Sequence, residues 1–303
     1  MKNTEYPYCC KLKLWRCIFS SSWPQRFLAA TPPSVRRAIQ WLPSACFSLI
    51  FPDDCRVCET PLTQLSRIPV CKSCLAKPEP LLAEFFCTAC RTPFLSPYPL
   101  DDHGLCSLCR LGASGFDAAY SFGSYQAELR RLIHLFKYAG VQTLDRPLGR
   151  FLSLALPRGE RFDAIVPMPM HWRKRWHRGF NQAELLANQL SGKTQIPVRN
   201  AVRRVHQKAA QAGLTNAKRR ANVVGAFRVP NRAAVDGKRI LLIDDVMTTG
   251  ATAGACAKVL KRAGAAHVTL LTVARVDRRI VAVDRVSKSV SGTDALFPEL
   301  SFS

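Results

Sequence analysis

Apolar positions along this chain fall into two rhythms. The runs at 164–170, 240–243 and 267–275 are rich in apolar residues, and each reads as a buried strand; the 240–243 run, Ile-Leu-Leu-Ile, is apolar throughout and reads as covered on both faces, as in a parallel sheet. Between these runs the period becomes helical. Leu129, Leu132, Ile133 and Phe136 share one face of a helix predicted over 126–138. Leu144, Leu148, Phe151, Leu152 and Ala155 give a second over 141–156, stopped by Pro157. An Ala-rich stretch predicts a helix from about Thr252 to Arg262, and Gly179-Phe-Asn-Gln-Ala183 opens another to about Leu190. Residues 116–125 read as strand and turn, 198–205 as strand, and 225–229 as extended chain. Strands alternating with helices predict an α/β domain over 116–276.

Three stretches escape both rhythms. Residues 1–48 are basic and aromatic, and read as a poorly ordered N-terminal extension or the product of an upstream start codon; a basic arm on nucleic acid ranks below both. Residues 206–224 form a long polar and basic segment carrying Gln207, Gln211, Lys218, Arg219 and Arg220. A loop of that length in a compact domain is usually a lid or a partner site, and closing it over a bound diphosphate would exclude water. The tail over 277–303 is polar.

Composition narrows the class. At 303 residues and 48% hydrophobic, the chain has material for one large domain or two ordinary ones. Its 44 Lys+Arg against 21 Asp+Glu give a net charge of +23, which concentrates polyanions at its surface. The charge clusters at 171–178, 199–206 and 218–220. No apolar run approaches the ~20 residues of a membrane span. The N-terminus lacks the apolar core of a signal peptide, so the expected location is cytoplasmic, where paired thiols mean metal.

That matters because there are 13 cysteines. Cys55-x-x-Cys58, Cys71-x-x-Cys74, Cys87-x-x-Cys90 and Cys106-x-x-Cys109 follow one another over 51–112, while Cys9, Cys10, Cys17 and Cys46 have no evident partners. Each pair can sit on a tight turn and give two thiolates to one tetrahedral ion. Four pairs make two four-cysteine Zn2+ sites, joined in sequence order or crossed. With all ligands from protein such sites are structural, and the ion supplies folding free energy that a short, proline-rich region lacks. Each loaded site carries −2, so two lower the charge by about 4 and leave the protein basic. Redox chemistry is the alternative, without a thioredoxin-like context around the pairs.

The central chemistry lies after the 240–243 run. Asp244 and Asp245 are followed by Val246, Met247, Thr248, Thr249, Gly250, Ala251 and Thr252, and then by the Ala-rich helix. Strand, tight loop and helix N-terminus hold a phosphate, because free N–H groups and the positive helix end converge there. Gly250 lets the backbone approach closely. The two aspartates need a different partner, and a vicinal diol offers each carboxylate paired hydrogen bonds. Diol and phosphate together describe a ribose 5-phosphate. No Gly-Lys-Ser/Thr follows, so this is not a Walker A loop. The basic stretch 171–178, placed as a loop after a parallel strand, supplies cations for a diphosphate at the same sheet edge, and Trp172 and Trp176 suit stacking on bases.

The stretch from Ile243 to Thr252 resembles the phosphoribosyl-diphosphate (PRPP) signature of type I phosphoribosyltransferases. With Phe51-Pro-Asp-Asp-Cys55, the four cysteine pairs, Lys137-Tyr138, Val166-Pro-Met-Pro169, Arg178-Gly-Phe-Asn-Gln-Ala183, Gln211-Ala-Gly-Leu214, Arg220-Ala-Asn-Val223 and Gly225-Ala-Phe227, the chain over about 51–276 resembles the ComF/GntX family. The resemblance implies a type I phosphoribosyltransferase-like parallel sheet with helices on both faces, preceded by a small zinc-ribbon region with four cysteines per ion. It implies PRPP bound with Mg2+ at 244–252, with Asp244 and Asp245 on the ribose, and a diphosphate or DNA strand at Lys137, Arg175, Arg178, Arg219 and Arg220. It also implies handling of single-stranded DNA in natural transformation or DNA utilisation, with DNA-uptake machinery among the partners. Two readings stay open: a binding module that kept the pocket, and an enzyme displacing diphosphate from PRPP onto an acceptor.

Overall fold

The computed structural model describes residues 54–62, 66–112, 114–205 and 225–277. The expectations for the 1–48 extension, the 206–224 lid and the tail beyond 277 lie outside the described residues. Residues 54–60 and those from 66 onward fall in one compact unit.

Two cysteine turns of the same build open this unit. In the first, Cys55 N–H donates to the Thr60 carbonyl at 2.9 Å, Glu59 N–H to that of Cys55 at 2.7 Å, and Glu59 turns the chain at φ 62°. In the second, Cys87 N–H donates to Thr92 at 3.0 Å, Arg91 N–H to Cys87 at 2.9 Å, and Arg91 stands at φ 51°. The later cysteines start short helices: Cys71 caps α1 (Lys72–Ala76) and Cys106 precedes α2 (Ser107–Arg110). Between them, β1 (Phe85–Phe86) and β2 (Pro93–Phe94) form a small antiparallel hairpin around the second turn.

The rest alternates strand and helix. β3 (Ala118–Ser124) leads to α3 (Ala127–Tyr138), a 3-10 turn at Gln142–Leu144, and α4 (Asp145–Leu154). β4 (Ala164–Pro167) is followed by α5 (Trp172–Arg178) and α6 (Gln182–Thr194). A two-residue antiparallel pair, β5 (Arg203–Arg204) with β6 (Phe227–Arg228), flanks the undescribed 206–224. β7 (Arg239–Met247), α7 (Ala251–Arg262) and β8 (His267–Arg275) close the domain. The sheet order is β3-β8-β7-β4, all parallel. Such a sheet is viable only with both faces covered. Cys256, Ala257 and Leu260 of α7 join Ile240, Leu242, Val268 and Leu270 in one buried cluster, while α4 and α6 pack on each other and against β8 and β7. This is the expected α/β architecture.

Three expectations change. The central strand does not end before the aspartates, because β8 runs alongside to its end and the ladder pairs Asp244 with Thr272 and Met247 with Arg275. Residues 171–178 are a helix rather than a loop: the His171 side chain caps its start, and Gly179 at φ 79° closes it. The strand predicted over 198–205 shrinks to β5 and a single parallel bridge from Val198 to Ile165, since its partner β6 is only two residues long.

Candidate ligand-binding site and metal centres

Each cysteine quartet forms in sequence order, Cys55, Cys58, Cys71 and Cys74 in one centre and Cys87, Cys90, Cys106 and Cys109 in the other, with all four sulfurs within 4.8 Å of one another. The edges Cys58–Cys71 and Cys90–Cys106 measure 3.7 Å. A tetrahedron with Zn–S bonds of ~2.3 Å has edges of about 3.8 Å, so the spacing suits zinc. Backbone N–H groups already serve the sulfurs, Cys71 N–H on Cys55 Sγ and Cys106 N–H on Cys87 Sγ, both at 3.3 Å. Hydrogen bonding from Ser73 brings the Cys71 thiol down to about 6, and hydrogen bonding from Cys106 brings the Cys90 thiol likewise to about 6. Burial pushes the Cys74 thiol up, and hydrogen bonding with Cys106 pushes the Cys109 thiol up, so the lowering is confined to some members of each quartet.

The two aspartates stand near the end of β7, Asp245 buried and Asp244 half-buried. Asp245 N–H donates to the Asp244 carboxylate at 2.9 Å, and the Asp245 carboxylate meets Lys137 Nζ at 2.8 Å. Lys137 arrives from the last turn of α3. Burial works against its ammonium, but Asp245 and then Asp244 outweigh that and hold its pKa above the ordinary lysine value. Burial pushes the Asp244 carboxyl up to about 7, the charge on Asp245 adds to the rise, and Lys137 opposes it.

Beyond Met247 the chain turns through exposed Thr248 and Thr249. Gly250 takes φ 75° and begins α7 with no side-chain cap and no acidic residue in the first turn. A non-glycine residue would be strained there. The Thr249 hydroxyl accepts from Ala251 N–H at 3.4 Å. A twelve-residue helix starting this way presents its positive end at the close of the turn that follows the two aspartates in the chain.

Next to Lys137 opens a cleft of about 1030 Å³, lined by the end of α3 through Tyr138 and Gly140, by His171, and by Trp172, Arg173, Lys174, His177 and Arg178 of α5. The 248–252 turn does not line it; Lys137 belongs to both places. His171 Nδ1 accepts from Arg173 N–H at 3.2 Å, and burial, followed by the charges of Arg204, Arg173 and Lys174, lowers the ring's pKa. The Arg178 guanidinium lies 4.9 Å from the Tyr138 ring centre. Lys174 is depressed by burial and then by the charges of Arg204, Arg178 and Lys137. Cations crowded until they repel one another form a field that an anion relieves. Trp172 and Trp176 are 64% and 86% exposed on the same helix.

Of the residues singled out in sequence, Lys137 and Arg178 line the cleft, whereas Arg175 pairs with Glu184 at 3.4 Å. Arg219 and Arg220 lie outside the described residues. Sequence reasoning misses Arg204 as a site residue. Its Nε is buried without a hydrogen-bond partner, its guanidinium lies 5.4 Å from the Phe227 ring centre, and burial lowers its pKa while the charge on Asp244 opposes the fall. The basic cluster at 199–206 points to this region but not to the arginine that turns inward.

Residues 177–298 match the family model described as Phosphoribosyl transferase domain. Competence protein F of Haemophilus influenzae is 34% identical over 178 residues, which cover 56% of this chain and 78% of that protein. DNA utilization protein YhgH of Escherichia coli (strain K12) is 30% identical over 234 residues, 75% of this chain and 99% of that protein. Competence protein ComFC of Bacillus subtilis (strain 168) is 27% identical over 217 residues, 68% and 84% of the two chains.

Proposed function

The chain belongs to the ComF/GntX family, and on that footing we propose that it binds PRPP, or a ribose 5-phosphate group, at the end of β7 and serves in handling single-stranded DNA. The observation that carries this reading is the Asp244–Asp245 pair on the strand that runs, through a turn opened by Gly250, into a twelve-residue helix with no acidic residue in its first turn. In it the carboxylates accept from the ribose hydroxyls, and the turn's N–H groups and threonine hydroxyls hold the 5-phosphate. Lys137, Lys174, Arg178 and Arg204 supply positive charge for a diphosphate, and Mg2+ would travel on the ligand's own oxygens, with these carboxylates as the nearest hard donors.

Calorimetry with PRPP and Mg2+ tests the pocket. Losing the charged hydrogen bonds to the diol in Asp244→Asn/Asp245→Asn is expected to weaken binding by about ten- to a hundredfold. Equal affinity in wild type and variant, or none in either, removes the reading. Turnover is a separate matter: diphosphate release across a panel of bases and nucleotides distinguishes an enzyme from a binding module.

The relatives' names speak of competence and DNA utilization, and the cation field with exposed Trp172 and Trp176 supports the DNA part of the proposal. Oligonucleotide binding is expected to fall with salt, the slope of log K against log salt concentration being roughly −0.7 per phosphate neutralised. A flat profile defeats it. For the cysteine centres, metal analysis of anaerobically purified protein is expected to return close to two zinc ions per chain, and a value near zero would exclude them. Among the described residues no helix is long and apolar enough to cross a membrane.

A further inference from the structure

The two cysteine centres are built alike but are not attached alike. Each turn offers the carbonyl of its second intervening residue to the α/β domain: Val57 O accepts from Arg131 at 3.1 Å, and Ala89 O accepts from Ala119 N–H of β3 at 2.8 Å. Only in the second centre, among the bonds described, does the α/β domain also hold a ligand cysteine itself. Arg275, at the end of β8 and 3% exposed, donates through one terminal nitrogen to the Cys90 carbonyl and through the other to the Thr92 hydroxyl, both at 2.6 Å. Thr92 Oγ1 in turn lies 2.9 Å from Cys90 Sγ. A planar guanidinium fork thus grips a metal-ligating residue at its backbone and, through one hydroxyl, at its sulfur.

The other end of the relay is the phosphate turn. Arg275 is the ladder partner of Met247, and Val276 N–H donates to the Met247 carbonyl at 3.0 Å. Met247 immediately precedes Thr248. It also shares a buried cluster with Cys87, Cys90, Cys106, Phe116 and Ala253. The 248–252 turn is therefore anchored on its strand side by a residue that lies in the same buried cluster as the second cysteine centre and is laddered to the strand that Arg275 ends. We propose that Arg275 is a positioning residue that fixes the phosphate turn to the second cysteine centre, so that the order of this centre sets the affinity for the sugar phosphate. The affinity part rests on the sugar-phosphate reading above; the mechanical part does not.

The test uses the full chain loaded with zinc, in wild type, Arg275→Met, Arg275→Lys and Thr92→Val. Amide exchange is followed at 248–252 and, as a remote reference, in α6, while ribose 5-phosphate is the calorimetric probe. In Arg275→Met, exchange at the turn and the dissociation constant for ribose 5-phosphate are each expected to rise roughly tenfold, with α6 unchanged. Arg275→Lys, which keeps the charge but not the fork, should fall between. Thr92→Val is close in shape and leaves Arg275 in place. It should shift the turn in the same direction by less, and in cadmium-substituted protein it should move one of the two metal resonances and leave the other. Unchanged exchange at 248–252 in both Arg275→Met and Thr92→Val overturns the proposal, as does an equal rise in α6, which marks a merely structural residue. If ribose 5-phosphate fails to bind wild type, the sugar-phosphate reading falls while the exchange data still decide the coupling.

Discussion

Cys106→Ser is expected to abolish the cooperative melting transition of the zinc-loaded chain, whereas Cys71→Ser lowers the melting temperature and leaves a transition in place. The magnitudes decide this. Binding of a structural zinc is worth about 10–16 kcal/mol in zinc-finger peptides, against a total stability of about 5–15 kcal/mol for a whole domain. A centre inside the core cannot lose that contribution locally. Cys87, Cys90 and Cys106 are 0%, 6% and 5% exposed, and they pack in one cluster with Phe116, Met247 and Cys256 of the α/β domain. An emptied centre would leave crowded, partly ionised sulfurs against that cluster, where unpaired charge is costly. The first centre buries Cys55 and Cys74 but leaves Cys58 exposed and Cys71 half-buried. Water can take over its solvation, so its loss stays local. Thermal melts of the two variants, followed by circular dichroism with metal content measured alongside, check the asymmetry. Equal shifts in both would show that burial does not separate the two centres.

The cysteine centres also mark where the sequence is legible and where it is not. The four Cys-x-x-Cys pairs are plain from spacing, but spacing cannot choose between consecutive and crossed pairing, because the choice depends on turns that bring residues 13 to 19 apart together. Strands and helices with a sustained period stand nearly where the pattern places them: His267–Arg275 at both ends, and Ala127–Tyr138 and Ala251–Arg262 within a residue. Where tertiary pairing sets the length, pattern falls short. Polar Asp244 and Asp245 look like the end of a strand, yet the ladder to β8 carries them inside it. The 171–178 stretch has only Trp172 and Trp176 at helical spacing, and neither is buried, so two positions are too few for periodicity to mark its helix. Its boundary signals are present in His171 and Gly179. Ion-pair geometry is the least accessible. Lys137 and Asp245 lie far apart in the chain, and sequence assigns them to diphosphate and ribose without indicating that they touch each other.

That contact yields the second large effect. Lys137→Met is expected to cost about 3–5 kcal/mol at pH 8, because both side chains are mostly buried, at 15% and 13% exposure, and removing one strands the other's charge. Asp245→Asn in the same chain should recover most of the loss, and the double-mutant cycle then measures the pair. The penalty should depend on pH in a definite direction. With Asp244 raised to about 7 by burial and by Asp245, the folded chain holds a proton that the unfolded chain has already released, throughout the window from the ordinary carboxylate range up to about 7. Folded protein binds more protons there, so this group's contribution to stability falls as pH rises through the window and levels off above it. Lys137 opposes the rise, so its removal drives Asp244 higher and extends the falling limb past neutrality. The cost of Lys137→Met should therefore shrink towards pH 5, where Asp244 takes up its proton, and be greatest at pH 8. Urea melts of the four chains of the cycle at both pH values measure it. A cost below about 1 kcal/mol that does not change with pH is what a solvated surface pair gives, and it would mean that the cation beside the two carboxylates is not held there by the fold.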